Sequence, residues 1–144
     1  MIERKATARW EGDLRTGTGS VRLGSGAFEG PYSFGTRFES APGTNPEELL
    51  GAAHAGCFTM ALSLGLTKAG HPPASLDTTA AVELDKTGDA FSVTRIRLTT
   101  RGRVPGLDEA KFRELAEDAK KNCIISRALS GVRMELDAAL TGGR

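Results

Sequence analysis

The chain has 144 residues, and its 19 basic and 18 acidic side chains give a formal net charge of +1. This balance excludes a general electrostatic attraction to nucleic acid or to an anionic membrane, and neither is expected as a partner. The length predicts a single domain, residues 1–144, that is large enough to bury its own core. Substrates and partners must therefore be inferred from particular sites.

The start of the chain lacks the pattern of a signal peptide, because Met1–Lys5 leads into a polar, alternating stretch. Lys68 and His71 interrupt the most apolar segment, so no membrane span of about 18 or more residues is expected. We therefore expect a protein of the reducing cytoplasm. In that compartment two cysteines indicate a catalytic or metal-binding role more than a permanent disulfide.

Residues 4–40 alternate between apolar and polar side chains and are divided by glycine turns. This period of two predicts an antiparallel meander of three short strands. The same stretch contains Trp10, Phe34 and Phe38, which are interpreted either as core residues or as the lining of an apolar pocket.

A long helix is predicted from about residue 46 to residue 69. Asn45 is a suitable N-cap, Pro46 fits the first helical position, and Glu48 completes a capping box. Gly70 and the two prolines that follow end the helix. Its apolar stripe is predicted to comprise Leu50, Ala53, Cys57, Met60, Ala61 and Leu64.

Two more strands are predicted over residues 76–85 and 91–102, followed by a helix capped by Asp108, a helical turn over 124–129 and a last strand over 132–140. The order β-β-β-α-β-β-α-β is a mixed α+β fold. A group of basic residues is interpreted as the solvated face of a strand and not as a nucleic-acid-binding stripe: Arg95, Arg97, Arg101 and Arg103.

Three segments carry a specific pattern. They are FGTRF at residues 34–38, GTNPEELLGAAHAGCFTMALS at residues 43–63, and Cys123 with Ser126. Together they resemble the OsmC branch of the OsmC/Ohr family of thiol-dependent peroxidases. The resemblance continues in ARWEGD and SLDTTA, which begin at Ala8 and Ser75, and so covers nearly the whole chain.

This resemblance implies an intertwined homodimer, with antiparallel sheets wrapped around long central helices, that reduces organic hydroperoxides and, more weakly, hydrogen peroxide. It implies that Cys57 is the attacking thiol and that Cys123 resolves the product into an intrachain disulfide, with Arg37 and Glu47 beside the reactive sulfur. The reductant would be a dithiol of the lipoyl or another type, and no cofactor is expected. Family members often have proline after the second cysteine, where this chain has Ile124.

The chemistry gives a separate reason for an arginine. A thiol attacks a peroxide as the thiolate, and an unperturbed cysteine, with a pKa of about 8.5, is mostly protonated at neutral pH. Cys57 lies roughly 16 Å inside the predicted helix, beyond the reach of the helix dipole. An arginine stays charged and has donors for both the thiolate and the peroxide. Arg37 is the candidate, and Arg15 is the alternative.

Glu47 has two interpretations. It either holds the guanidinium of Arg37 through a bidentate pair or simply favours the helix dipole from the first helical turn. Glu48 has the spacing of a capping residue and is assigned a structural role.

The spacing of Glu47 and Cys57 predicts a shared site. Ten residues separate them, roughly 15 Å along the helix axis, which is too far for one site within one helix. If two copies of the helix cross antiparallel near Ala52, Glu47 of one subunit comes close to Cys57 of the other. Two helices could approach closely there because the side chains are small: Gly51, Ala52, Ala53, Ala55 and Gly56.

Other function classes stay open from the sequence. His54, three residues before Cys57, is a possible metal ligand, but two histidines and two cysteines without a CxxC pair make a metal site a weak alternative. A non-catalytic module that binds a hydrophobic ligand, with both cysteines merely buried, is the main alternative to the peroxidase. A domain held by a structural disulfide or metal is the weakest.

Overall fold

A computed structural model describes residues 1–142, which form two compact units, residues 1–49 and residues 50 onward. The boundary falls inside one long helix. The single domain expected from the chain length stays a prediction.

The first unit begins with a three-stranded antiparallel sheet of β1 (Ala6–Glu11), β2 (Thr18–Leu23) and β3 (Glu29–Tyr32). The predicted meander is confirmed. Gly19 of β2 lies between Trp10 and Tyr32, and a Cβ at this position would approach the two rings to 2.5 and 2.6 Å. Only glycine allows this close approach, which lets the rings pack with their centroids 5.3 Å apart.

A short helix that the sequence analysis did not predict follows the sheet. α1 (Phe34–Phe38) is capped by Ser33, whose hydroxyl accepts from the Thr36 N–H at 3.2 Å. The Ser33 N–H donates in turn to the Thr36 hydroxyl at 2.8 Å, which completes a reciprocal cap. This cap is what turns the chain into a helix in a stretch where strand character was expected.

The long helix α2 (Pro46–Lys68) has the predicted bounds to within one residue. Asn45 Oδ1 accepts from the Glu48 N–H at 2.7 Å, so Asn45 is the N-cap. The carboxylate of Glu48 accepts from the Thr44 hydroxyl at 2.8 Å. The Glu48 carboxylate therefore binds the Thr44 hydroxyl in place of the Asn45 backbone N–H, which it would bind in a capping box. Gly70, with a φ of +86°, follows the last turn.

The second unit contains a mixed sheet in the order β4-β5-β6, formed by β4 (Ser75–Thr87), β5 (Ala90–Arg103) and β6 (Arg133–Leu140). β4 and β5 form an antiparallel hairpin at Gly88, whose φ is +67°. β6 pairs with β5 in parallel, which differs from the expected antiparallel sheets. The reason is the connection: parallel strands need a crossover, and two helices supply it, α3 (Glu109–Asn122) and α4 (Ile124–Ala128).

A β-bulge in the hairpin explains a change of phase in the sequence of β5. Glu83 pairs with Arg95, but the next residue, Leu84, pairs with Val93, so that Thr94 is extra. Residues on one face therefore change from odd to even numbers along the strand. Beyond the bulge the inward side chains are Ile96 and Leu98, both fully buried.

The core of the second unit lies between α2, α3 and the sheet. α2 buries Phe58, Leu62 and Leu66, which form one cluster with buried side chains of β5 and α3, among them Phe112. The predicted stripe is wrong in phase. Met60 and Leu64 are 77% and 56% exposed, and Ala53 is exposed as well. The buried face is instead formed by Gly51, His54, Phe58, Leu62 and Leu66.

α2 is also long and apolar enough to cross a membrane by length and composition alone, which the interruption at Lys68 and His71 did not lead us to expect. A single helix of this kind is weak evidence for a span, because core helices meet the same criterion. Only 28% of the apolar window is buried within the chain. The remaining residues of the window are partly buried or exposed.

Two basic residues of β5 pair with acidic residues on neighbouring strands. Arg95 contacts Glu83 of β4 and, at 3.2 Å, Glu135 of β6. Arg101 binds Asp137 of β6 at 3.2 Å. Cross-strand pairs of this kind belong to a solvated sheet face.

Candidate active site

The thiol of Cys57 lies at the edge of the buried face of α2. Its side chain is half-buried, between the buried residues of the helix and the exposed ones. The N–H of Ile125 points at the Cys57 sulfur, with an N···S distance of 3.5 Å. Cys57 is less buried than the core residues of the same helix.

The thiol of Cys123 is buried, with 3% of the residue exposed. Cys123 ends α3 and is the N-cap of α4, and its sulfur accepts from the Ser126 N–H at 3.3 Å. The two sulfurs thus contact the N–H groups of consecutive residues, Ile125 and Ser126. Both cysteines are free thiols in this structure.

A buried polar chain continues from Cys123. Its thiol donates to the Ser126 hydroxyl at 3.0 Å, and that hydroxyl lies 2.8 Å from His54 Nε2. Burial lowers the pKa of His54, so the imidazole is neutral at neutral pH. Sequence reasoning considered His54 only as a metal ligand and gave Ser126 no role. One signal for Ser126 was available in the sequence: it lies three positions after Cys123, the spacing at which an N-cap side chain contacts a backbone N–H. No pattern in the sequence linked His54 to Ser126.

Arg37 and Glu47 lie together in the first unit. Arg37 Nε donates to both carboxylate oxygens of Glu47, at 3.0 and 3.2 Å, and Nη2 donates to Oε1 at 2.7 Å. The Glu47 side chain is 11% exposed, whereas that of Arg37 is 40% exposed. The carboxylate is therefore a nearly buried support, and the guanidinium keeps free donors for another group.

Arg15, the alternative arginine, lies in the turn after β1. Its guanidinium carbon is 4.8 Å from the centroid of the Phe34 ring. Asp13 fixes this turn by accepting from the N–H groups of Arg15 and Thr16, and the bonds from Thr16 hold the pKa of Asp13 below its usual range. The Arg15 guanidinium therefore lies against the Phe34 ring of the first unit.

An apolar cavity of about 320 Å³ opens in the first unit. Arg37 reaches this cavity, so one cation borders an otherwise mainly apolar site. Its volume is within the range of small-molecule pockets. The lining residues are Trp10, Leu14, Tyr32, Ser33, Phe34, Arg37 and Phe38.

The sequence-predicted site residues thus fall into two pairs, Arg37 with Glu47 and Cys57 with Cys123. Residues 1–142 contain no group of three or more His, Cys, Asp or Glu side chains that could hold a metal ion.

Comparison with known proteins places this geometry in a family. Residues 38–137 match the family of OsmC-like proteins. Peroxiredoxin OsmC of Escherichia coli K12 is 50% identical over 129 residues, which is 89% of this chain and 90% of that protein.

Solved structures of similar fold include organic hydroperoxide resistance proteins. OhrB of Bacillus subtilis has 25% identity and a TM-score of 0.73, covering 97% of this chain and 98% of its own. The corresponding protein of Elizabethkingia anophelis has 24% identity and a TM-score of 0.76, covering 98% of each chain. The second of these shows likeness of fold alone.

Proposed function

The chain belongs to the OsmC-like protein family and is a thiol peroxidase, and we propose that it reduces organic hydroperoxides, and hydrogen peroxide more weakly, with Cys57 as the attacking thiol and Cys123 as the resolving thiol. The observation that carries the assignment is the difference in burial. The attacking sulfur must be reached by a peroxide, and Cys57 is the less buried of the two cysteines. The resolving sulfur need only reach an oxidised Cys57. Cys123 is buried, and its sulfur accepts from the N–H of the residue that follows the one bound to Cys57.

The chemistry runs in three steps. The Cys57 thiolate attacks the terminal peroxide oxygen, the O–O bond breaks, and the alkoxide takes up a proton and leaves as the alcohol. Cys123 then attacks the sulfur of the Cys57 sulfenic acid, which forms the disulfide and releases water. A dithiol of the lipoyl or a similar type reduces the disulfide and restores both thiols. The groups of the protein that change oxidation state in this cycle are the sulfurs of Cys57 and Cys123.

The cavity of the first unit supports an organic substrate. Its aromatic lining suits the alkyl or aryl part of a hydroperoxide, and the free donors of Arg37 suit the oxygens. Arg37 would bind the developing alkoxide while Glu47 keeps the guanidinium in place. This arrangement favours an organic hydroperoxide over hydrogen peroxide, which has no apolar part to bind.

We further propose a homodimer in which two α2 helices cross antiparallel. The uncovered face of α2 contains the exposed residues Ala52, Ala53 and Gly56, and a Cβ added to Gly56 would meet nothing within 4 Å. Gly51, by contrast, is buried, and a Cβ added to it would lie 3.2 Å from the Ala80 carbonyl oxygen of β4, so this position is not available for the crossing. Met60 and Leu64 continue the apolar surface that a second copy would cover.

A crossing near Ala52 would bring the Arg37–Glu47 pair of one protomer to Cys57 of its partner. Glu47 and Cys57 lie five residues before and five residues after Ala52. With a two-fold axis at Ala52 and antiparallel helices, Glu47 of one helix therefore lies at the same height as Cys57 of the other. The cytoplasm remains the expected location, because the cycle needs reduced thiols.

A turnover assay tests the proposed function. Purified protein should consume tert-butyl hydroperoxide in the presence of dihydrolipoamide and produce tert-butanol in equal amount. Hydrogen peroxide should be consumed more slowly under the same conditions. Binding of an apolar dye in the cavity without any turnover would instead support a ligand-binding module and contradict the peroxidase.

Arg37→Ala is expected to slow the reaction of Cys57 with tert-butyl hydroperoxide by about 100-fold, the usual loss when one donor to a developing oxyanion is removed. Rapid mixing of reduced protein with peroxide, followed by sulfenate trapping, measures this rate. Arg9→Ala is the matched control, since Arg9 is an exposed arginine of the same unit that pairs with Glu11 at 2.7 Å. Unchanged rates in Arg37→Ala together with slow rates in Arg15→Ala would assign the role to Arg15.

Peroxide-treated protein is expected to form the Cys57–Cys123 disulfide within one chain. The reason is that both sulfurs contact consecutive N–H groups of the same chain. Non-reducing gels should show a monomer band of changed mobility, and peptide mass spectrometry should identify the linked pair. A covalent dimer as the main product would contradict the intrachain assignment.

A further inference from the structure

We propose that Ser126 and His54 form a proton relay that activates the buried Cys123 thiol for disulfide formation. This inference rests on the proposed two-thiol cycle and adds two positioning residues to its second step. It concerns only atoms of the second unit.

The relay is a continuous chain of short contacts. The Cys123 thiol donates to Ser126 Oγ at 3.0 Å, and Ser126 Oγ lies 2.8 Å from His54 Nε2. All three residues are buried, with exposures of 3%, 5% and 0%. The residues come from α2 and from the start of α4, 72 positions apart between His54 and Ser126. Such a chain of hydrogen bonds is the requirement for moving a proton without water.

The other ring nitrogen of the histidine argues against a purely structural role. His54 Nδ1 is buried and has no hydrogen-bond partner among the described residues. An unpaired buried polar atom is costly, and a histidine used only for packing would be replaced by an apolar residue without that cost. The imidazole is retained here for the nitrogen that does have a partner, Nε2.

Cys123 must lose its proton in order to react. A thiol is nucleophilic only as the thiolate, so the proton has to leave as the sulfur attacks. The two contacts of the Cys123 sulfur given above are the Ser126 hydroxyl and the Ser126 N–H, which are both uncharged. A base connected through the hydroxyl supplies what these contacts lack. Neutral His54 serves as that base in the tautomer that carries its proton on Nδ1, which leaves Nε2 able to accept from Ser126 Oγ at 2.8 Å.

The protons and electrons balance in the resolving step. Cys123 passes its proton to Ser126 Oγ as Ser126 passes its own proton to His54 Nε2. The electron pair of the Cys123 sulfur forms the S–S bond, and the S–O bond of the Cys57 sulfenic acid breaks with its pair on oxygen. His54 returns the proton through Ser126 to the departing hydroxide, which leaves as water. One thiol and one sulfenic acid thus give one disulfide and one water, with Ser126 and His54 unchanged.

The test separates sulfenate formation from disulfide formation. Reduced protein is mixed with one equivalent of tert-butyl hydroperoxide, and the sulfenate and the disulfide are quantified over time by trapping and mass spectrometry. Ser126→Ala removes the hydroxyl, and His54→Gln keeps a side-chain amide for Ser126 but removes the basic nitrogen. Both variants should form sulfenate at the wild-type rate and form the disulfide about 100-fold more slowly, as expected for loss of general base assistance.

Two controls distinguish a relay from a packing effect. Ser126→Thr keeps the hydroxyl and should restore disulfide formation to near the wild-type rate. His71→Gln changes the second histidine, whose Nδ1 lies 3.4 Å from the Pro105 carbonyl, and should leave both phases unchanged. In the wild-type protein, disulfide formation should be slower in D₂O than in H₂O, and this measurement needs no variant.

The outcomes are separable from those of the proposed function. If the wild-type protein forms no sulfenate at Cys57, the proposed function fails before the relay matters. If the wild-type cycle is normal and folded Ser126→Ala and His54→Gln resolve at the wild-type rate, the relay is wrong. Should either variant fail to fold, the absence of a normal solvent isotope effect on disulfide formation in the wild-type protein would overturn the relay.

Discussion

Cys57→Ser is expected to abolish hydroperoxide turnover. A serine hydroxyl is not ionised at neutral pH and cannot carry the sulfenic acid, so neither the first product nor the disulfide can form. Steady-state consumption of tert-butyl hydroperoxide with dihydrolipoamide should fall to the rate of the uncatalysed reaction. Near-ultraviolet and far-ultraviolet circular dichroism should match the wild type, because the substitution replaces one sulfur by oxygen at a half-buried position.

Cys123→Ser is the matched variant, because it removes the other thiol. It should complete one round, release one equivalent of tert-butanol per chain and then stop with a trapped sulfenate at Cys57. Equal sulfenate trapping at Cys123 in the Cys57→Ser protein would reverse the two roles.

Mixing two inactive variants is expected to restore activity if the site is shared between protomers. A Cys57→Ser chain supplies Glu47, and a Glu47→Ala chain supplies Cys57, so each heterodimer has one complete site and one that lacks both residues. After joint unfolding and refolding, random pairing should recover about a quarter of the wild-type activity. The measurement is peroxide turnover of verified heterodimers relative to each parent alone.

The chain offers a sharp control for this mixing experiment. Cys57→Ser mixed with Cys123→Ser should not recover, because both thiols of a working site must belong to one chain if the disulfide is intrachain. Recovery in the control would mean that the disulfide crosses between protomers. Verified heterodimers of the Glu47 pair without any recovery would contradict the shared site.

Local signals in the sequence predicted most of the elements. Asn45 and Asp108 were identified as helix caps from their residue types, and the structure shows Asp108 Oδ1 accepting from the Lys111 N–H at 2.8 Å. The glycine turns predicted three short strands before the long helix. Such features depend on neighbouring residues, so they can be inferred without knowledge of the tertiary structure.

The phase of α2 could not be predicted in this way. The helix is apolar around most of its circumference, and alanine and glycine fit a buried or an exposed face equally well. Met60 and Leu64 were therefore assigned to the buried stripe, whereas His54 is the residue that the core covers. A helix with little amphipathic character needs its packing partners to set its orientation.

The sequence predicted four residues of the candidate site, whose catalytic roles stay predictions, but it did not predict all of their contacts. Cys57, Cys123, Arg37 and Glu47 follow from the family resemblance. The pairing of His54 with Ser126 does not, because residues 72 positions apart have no local pattern that connects them. The parallel pairing of β6 with β5 escaped prediction for the same reason.

The first turn of α4 is held by the two cysteine sulfurs of the proposed cycle. Reduced Cys123 accepts the Ser126 N–H and reduced Cys57 accepts the Ile125 N–H, so both sulfurs bind amides of a five-residue helix. If the two sulfurs join in a disulfide, both contacts change at once, because each sulfur gains a covalent partner beside the N–H that it accepts. We therefore expect oxidation to change the protection of this turn, and amide hydrogen exchange at Ser126 in the reduced and the oxidised protein measures it.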